Sequence, residues 1–96
     1  MVVVDHEPRD WFLLQDEHGL VLDVNCTRSF VSFSVVVRLT AEEAELVVAQ
    51  GRKAVADLAQ SVQYSPERFA QRSGSKALED ASHAAITGWQ AAQPAA

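Results

Sequence analysis

Apolar and polar side chains alternate along residues 11–39 in three segments, each of which predicts a β-strand. The segments cover residues 11–15, 20–27 and 30–39. Because strand side chains point alternately to the two faces of a sheet, the alternation predicts which residues share a face. The two short segments that separate the strands predict an antiparallel meander with residues 20–27 in the central strand.

The same alternation predicts how the strands pair. With Glu17-His18 at the centre of the first turn, or all of residues 16–19 in the loop, Leu14 lies opposite Val21. With Arg28-Ser29 as a two-residue loop, Val24 lies opposite Phe33. Arg-Ser is not the Asn-Gly type that such turns prefer, and a longer loop of the same parity would leave the two faces unchanged.

This register predicts two unequal sheet faces. One face is strongly apolar and is the expected core: Trp11, Leu13, Leu20, Leu22, Val24, Cys26, Val31, Phe33, Val35, Val37 and Leu39. The second face carries four apolar residues at one end: Phe12, Leu14, Val21 and Val36. Elsewhere the second face is polar: Asp23, Asn25, Ser32, Ser34 and Arg38.

Helical spacing of apolar residues follows the strands and predicts helices over residues 41–63, 66–72 and 76–90. Thr40 and Glu43 have the spacing of a capping box, and Ser75 is expected to cap the last helix. Gly51 lies inside the first predicted helix, where it costs about 1 kcal/mol relative to alanine. A frayed tail is expected at residues 93–96.

The pattern as a whole predicts one α+β domain over residues 1–96. Its sheet is an antiparallel meander of three strands, or four if the β-branched run at residues 1–4 adds one before Pro8. Two or three helices are expected to pack on the apolar face, giving a two-layer sandwich.

Composition narrows the function classes. The chain has 96 residues, of which 48% are hydrophobic, as in a single globular domain. Its only cysteine is Cys26, which predicts no internal disulfide. No apolar run approaches the ~18 residues that span a membrane, and the first residues do not resemble a signal peptide. A cytoplasmic protein without membrane contact is therefore expected.

The net charge of −5 is concentrated at the start of the chain. Residues 1–23 carry six acidic residues and one basic residue. Nucleic-acid binding usually requires a basic face that displaces phosphate counterions, and the sequence predicts none. An acidic lobe instead raises the alternative of a binder for one specific basic protein, similar in role to an immunity protein or a regulator.

Candidate chemistry is sparse. Asp23, Asn25, Ser32, Ser34 and Arg38 could bind a small ligand or form an enzyme site, but polar residues also alternate along any solvated strand face. Two segments, Asp5-His6-Glu7 and Asp16-Glu17-His18, contain metal-binding residue types. Their neighbouring side chains point apart, which disfavours a metal site. Cys26 is expected in the core and His83 on the solvated side of the last helix.

We therefore predict no catalytic, cofactor-binding or metal residues, and favour a non-enzymatic accessory or interaction protein. In an open sandwich Phe12, Leu14, Val21 and Val36 would form an exposed apolar patch, unless the last helix or the N-terminal segment covers them. The strand 30–39 lacks Pro and Lys and would lie at a sheet edge, where either Val2–Val4 of the same chain or the same strand of a second copy can pair. These features predict a homodimer built on that strand and on the second face, including Ser32, Ser34 and Arg38.

Overall fold

Four strands form one antiparallel sheet in the computed structural model of the chain, which describes residues 1–72 and 76–93. The strands are β1 (Val2–Glu7), β2 (Trp11–Asp16), β3 (Gly19–Arg28) and β4 (Val31–Arg38), and they neighbour one another in this order. The predicted fourth strand is therefore present. It pairs with β2, across a bulge between Val3 and Asp5. The alternative in which Val2–Val4 pairs with residues 30–39 is wrong, because β1 and β4 lie at opposite edges of the sheet.

The register predicted between β2 and β3 is confirmed, with Leu14 opposite Val21 and Trp11 opposite Val24. Between β3 and β4 the predicted register is wrong by two residues, because Val24 lies opposite Val35 and the loop is Ser29-Phe30. Ser29 has a φ of 57°, the positive value that a primed hairpin turn requires at its first central residue. A shift of two keeps the parity, so the same side chains share each face.

The helices are α1 (Ala41–Gln50), α2 (Arg52–Tyr64), α3 (Pro66–Ala70) and α4 (Lys76–Ala92). The single helix predicted over residues 41–63 is divided at Gly51, whose φ of 68° and ψ of −140° lie outside helical geometry. The predicted capping box is confirmed: the Glu43 amide donates to Thr40 Oγ1 at 3.1 Å, and the Thr40 amide donates to Glu43 Oε1 at 2.9 Å. The predicted Ser75 cap and the predicted tail beyond Gln93 lie outside the described residues.

The helices cover both faces of the sheet. On the predicted core face, Val55, Ala59 and Val62 of α2 pack against Trp11, Leu22 and the other apolar strand residues. On the second face, Leu78, Ala85 and Ile86 of α4 pack against buried Leu14, Val21 and Val36. The predicted α+β class is confirmed, but α4 adds a third layer because the second face carries its own apolar residues.

Candidate functional site

The apolar end of the second sheet face lies inside the molecule. Leu14, Val21 and Val36 are buried beneath α4. Of the alternatives that the sequence left open for this patch, cover by the last helix is therefore the one observed. Phe12 is partly buried and forms an aromatic cluster with His6 and Trp89. The ring centroids of Phe12 and Trp89 are 5.6 Å apart, and those of His6 and Trp89 are 4.5 Å apart. These four predicted interface residues therefore stabilise α4 on the sheet.

The polar part of the same face contains the most buried acidic residue of the described chain, Asp23, which is 5% exposed. Its Oδ2 atom accepts a hydrogen bond from Ser82 Oγ at 2.8 Å and lies 3.4 Å from His83 Nε2. Burial raises the pKa of Asp23, while the bond from Ser82 and the nearby His83 act in the opposite direction. The Asp23 carboxyl group is therefore desolvated and lies between the sheet and α4.

A cavity of about 370 Å³ opens beside Asp23. Its sheet side includes Asn25 and Ser34, which are opposite one another on β3 and β4. Its helix side includes His83, Ile86 and Thr87, and the β1–β2 turn closes one end with Arg9 and Asp10. The structure therefore brings together three of the five polar residues predicted on this face, and α4 turns them into the wall of a pocket.

Asn25 holds the β1–β2 turn in place. Its side-chain Nδ2 donates to the Arg9 carbonyl at 3.1 Å, and its amide donates to the Asp10 carbonyl at 2.8 Å. Gln63 of α2 donates to the Asp10 carboxylate and to the Asn25 carbonyl. Because Nδ2 is engaged with Arg9, Oδ1 is left as the acceptor of the Asn25 side chain.

The other two polar residues of the predicted face lie away from this pocket. Arg38 makes a bidentate ion pair with Asp16, with nitrogen–oxygen distances of 2.9 and 2.7 Å. The guanidinium holds the pKa of the Asp16 carboxyl well below its usual range. Ser32 is exposed on β4, with its hydroxyl 3.5 Å from that of Thr27. A site containing all five residues is therefore not formed.

The candidate metal segments are used in structural contacts. Arg52 of α2 donates to Asp5 and Glu7 at 2.8 and 2.6 Å, so two acidic side chains of β1 share one arginine of the helix. His6 lies in the aromatic cluster, and His18 is exposed at the β2–β3 turn. Across residues 1–72 and 76–93, no three His, Cys, Asp or Glu side chains come together in a group that could hold a metal ion.

Part of the negative charge in the predicted acidic lobe is paired or buried. Of the six acidic residues in residues 1–23, Asp5, Glu7 and Asp16 are paired with arginine and Asp23 is buried. The salt bridges leave Asp10 and Glu17 without an arginine or lysine partner among the described side chains. A surface that attracts a basic protein by charge alone is therefore smaller than the sequence indicates.

Cys26 lies in the core, 1% exposed, as predicted. Burial raises the pKa of its thiol, which keeps it in the unreactive protonated form. Its Sγ lies 3.8 Å from the Val24 carbonyl oxygen. The cysteine therefore acts as a small apolar side chain.

A second candidate region is the outer edge of β4, which no strand in the described part of the chain pairs with. The second half of the strand, Val35–Val37, is buried, but the first half is exposed. Phe30 in the turn is fully exposed, Val31 is 62% exposed and Phe33 is 36% exposed. Nearby, Arg28 Nη2 donates to Glu67 at 3.1 Å and ties the end of β3 to α3.

The sequence reasoning missed Ser82 and placed His83 on a solvated surface. Ser82 is fully buried, and His83 is about half-exposed and faces Asp23. A signal for Ser82 does exist, since it lies four residues after Leu78 and four before Ile86 in the apolar stripe of α4. A lone serine within such a stripe and a lone aspartate on the facing strand have the chemistry of a buried hydrogen-bonded pair.

No helix within residues 1–72 and 76–93 has the length and apolar character needed to cross a membrane. Comparisons of the chain with models of protein families, with curated proteins and with solved structures find no match.

Proposed function

We propose that this protein is a non-enzymatic interaction protein that self-associates into a homodimer through the outer edge of β4. The observation that carries this proposal is the β4 edge, which no strand within residues 1–72 and 76–93 pairs with and along which Phe30, Val31 and Phe33 are exposed. The outer N–H and C=O groups of an edge strand form hydrogen bonds with any strand that lies alongside them. Pairing would also bury the exposed apolar side chains beside those groups, which stabilises the contact in addition to the hydrogen bonds.

The two edges of the sheet differ in how well they are protected. The β1 edge has a bulge beside Val4 and carries the charged residues Asp5 and Glu7. Bulges and charges are common means of preventing edge-to-edge pairing. From Val31 to Val37, β4 has no charge, no proline and no bulge in its pairing with β3. The β4 edge is therefore the one suited to pair with another strand.

The strand is also complementary to itself. If two copies pair in antiparallel fashion around Phe33, Val31 of one copy lies opposite Val35 of the other, and Ser32 lies opposite Ser34. Apolar residues then face apolar residues, and hydroxyls face hydroxyls, which is the favourable pattern for cross-strand pairs. Two identical antiparallel edges produce a two-fold axis and a closed dimer. A second copy of the chain is thus the occupant that fits this edge.

The proposal is tested by light scattering on a size-exclusion column with the wild type and two matched variants. Val31→Lys places a charge on the exposed edge, and we expect it to convert the dimer into a monomer. Val48→Lys makes the same change at a valine of α1 that is 85% exposed, and we expect it to leave the dimer intact. Circular dichroism checks that both variants are folded.

A wild-type protein that remains a monomer at high micromolar concentration would contradict the proposal. So would a dimer that survives Val31→Lys as well as it survives Val48→Lys, because the contact would then lie elsewhere.

A further inference from the structure

The cavity between the sheet and α4 has an acidic group at its base and neutral oxygen acceptors around it. Asp23 supplies a carboxylate that is 5% exposed, while Asn25 and Ser34 supply an amide oxygen and a hydroxyl from the same sheet face. Asn25 and Ser34 are cross-strand partners, so their side chains lie about 5 Å apart at Cβ. Asp23 is two residues before Asn25 and points to the same face.

This set of hydrogen-bond acceptors matches a primary ammonium group. An ammonium has three N–H donors and no acceptor, and the three residues offer one charged and two neutral acceptors. The Ser34 hydroxyl donates its proton to the Asp23 carboxyl and keeps its oxygen lone pairs as acceptors. A divalent metal ion fits less well, because one carboxylate with neutral oxygens provides little charge for it. The carboxylate is also desolvated, which strengthens its interaction with a cation that enters the cavity.

The apolar side chains that line the cavity determine which group can be attached to the ammonium. Phe12 and Ile86 are partly buried apolar side chains that line the cavity, so they can contact a short hydrocarbon or aromatic group. The volume of about 370 Å³ is at the small end of ligand pockets. At the rim, Arg9 and Asp10 carry opposite charges, so the rim has no net charge against a cation.

We propose that this cavity binds a small primary amine, with its ammonium on Asp23, Asn25 and Ser34 and its apolar part against Phe12 and Ile86. His83 Nε2 lies 3.4 Å from Asp23 Oδ2 at the helix side of the cavity. The cavity shares Ser34 with the proposed β4 pairing. Binding is read by titration and association by light scattering, so either proposal can fail without the other.

The test is a titration of the isotopically labelled protein by NMR with phenethylamine, and with 2-phenylethanol as a neutral probe of nearly the same shape. We expect saturable amide shifts at Asp23, Asn25, Ser34 and His83 with millimolar phenethylamine, and none of comparable size with the alcohol. Asp23→Asn should weaken phenethylamine binding about tenfold or more, because a charge-assisted hydrogen bond is replaced by a neutral one.

Two further variants make the result decisive. Thr87→Phe fills the mouth of the cavity from an exposed helix position, so it should weaken binding even if Asp23→Asn fails to fold. Asp57→Asn removes an exposed carboxylate on α2 and should leave the affinity unchanged. The proposal is overturned if phenethylamine produces no saturable shifts, if the alcohol binds equally well, or if neither Asp23→Asn nor Thr87→Phe weakens binding.

Discussion

At the residue scale, Asp23 shows how one side chain can connect two layers of the molecule. It lies between Phe12 and Val36 of the neighbouring strands, a setting that disfavours a charge. The hydroxyl of Ser82 compensates in part, because it donates to the carboxyl from a fully buried position on α4. The polar pair therefore fixes the position of the helix along the sheet, in addition to the apolar contacts beside it.

The raised pKa of Asp23 has a consequence for stability that can be measured. Because the folded state binds the proton more tightly than the unfolded state, the contribution of Asp23 is greatest below the ordinary carboxyl pKa of about 4 and is lost as the pH rises through the folded-state pKa. We expect the free energy of unfolding of the wild type, minus that of Asp23→Asn, to fall as the pH rises from acid to neutral. Urea unfolding at a series of pH values measures this difference.

Subtracting the free energy of unfolding of Asp23→Asn from that of the wild type cancels the contributions of the other acid-sensitive groups. Asp16 and Glu43 have lowered pKa values because of Arg38 and Arg72, so they destabilise the fold in acid in both proteins alike. If this difference is constant with pH, or rises with it, the pKa of Asp23 is not raised by burial and the prediction is wrong.

At the scale of the elements, Gly51 determines where α1 ends and α2 begins. Its backbone φ and ψ are accessible to glycine and strained for other residues, and no atom outside its immediate chain neighbours lies within 4 Å of a Cβ added there. Any effect of an added Cβ is therefore one of backbone conformation. The break lets α2 turn its buried residues Val55, Ala59 and Val62 onto the sheet.

Whether Gly51→Ala raises or lowers the free energy of unfolding tests this break. In a continuous helix, Gly51→Ala would stabilise the protein by about 1 kcal/mol. At the observed φ of 68° we expect it to destabilise the protein by about 1–3 kcal/mol in urea unfolding. Gly88→Ala is the matched control, because Gly88 lies within α4 with open space around its Cα, and we expect it to stabilise by up to about 1 kcal/mol. Stabilisation by both substitutions would mean that α1 and α2 are one helix.

The β3–β4 hairpin and the break at Gly51 show which features of the fold could be predicted from the sequence and which could not. Alternation is local, so it correctly predicts the two faces of the sheet even though the β3–β4 register is displaced by two residues. The conformation of Ser29 and of Gly51 is not local in this sense, because it depends on the packing of the segments on either side. The contact of His83 with Asp23 was not predicted for the same reason: only the docking of α4 on the second face brings the two side chains together.

At the scale of the whole molecule, helices on both faces leave the sheet edges as its exposed parts. Four of the six arginines pair with acidic residues of other elements, as Arg52 does with β1 and Arg72 does with Glu43 of α1. Much of the charge near the sheet is thereby engaged within the chain. An apolar edge with little charge beside it favours association by strand pairing and burial over association by electrostatic steering.

If two copies pair at β4, folding and association are coupled, and thermal stability must depend on protein concentration. For two chains of 96 residues, the entropy of unfolding implies that a tenfold rise in concentration raises Tm by about 4 °C. We expect this shift in the wild type and in Val48→Lys, and a concentration-independent Tm in Val31→Lys. Differential scanning calorimetry at several concentrations measures it. A Tm that is constant for all three proteins would exclude a dimer that dissociates on unfolding, whereas an equal rise in all three would place the contact away from Val31.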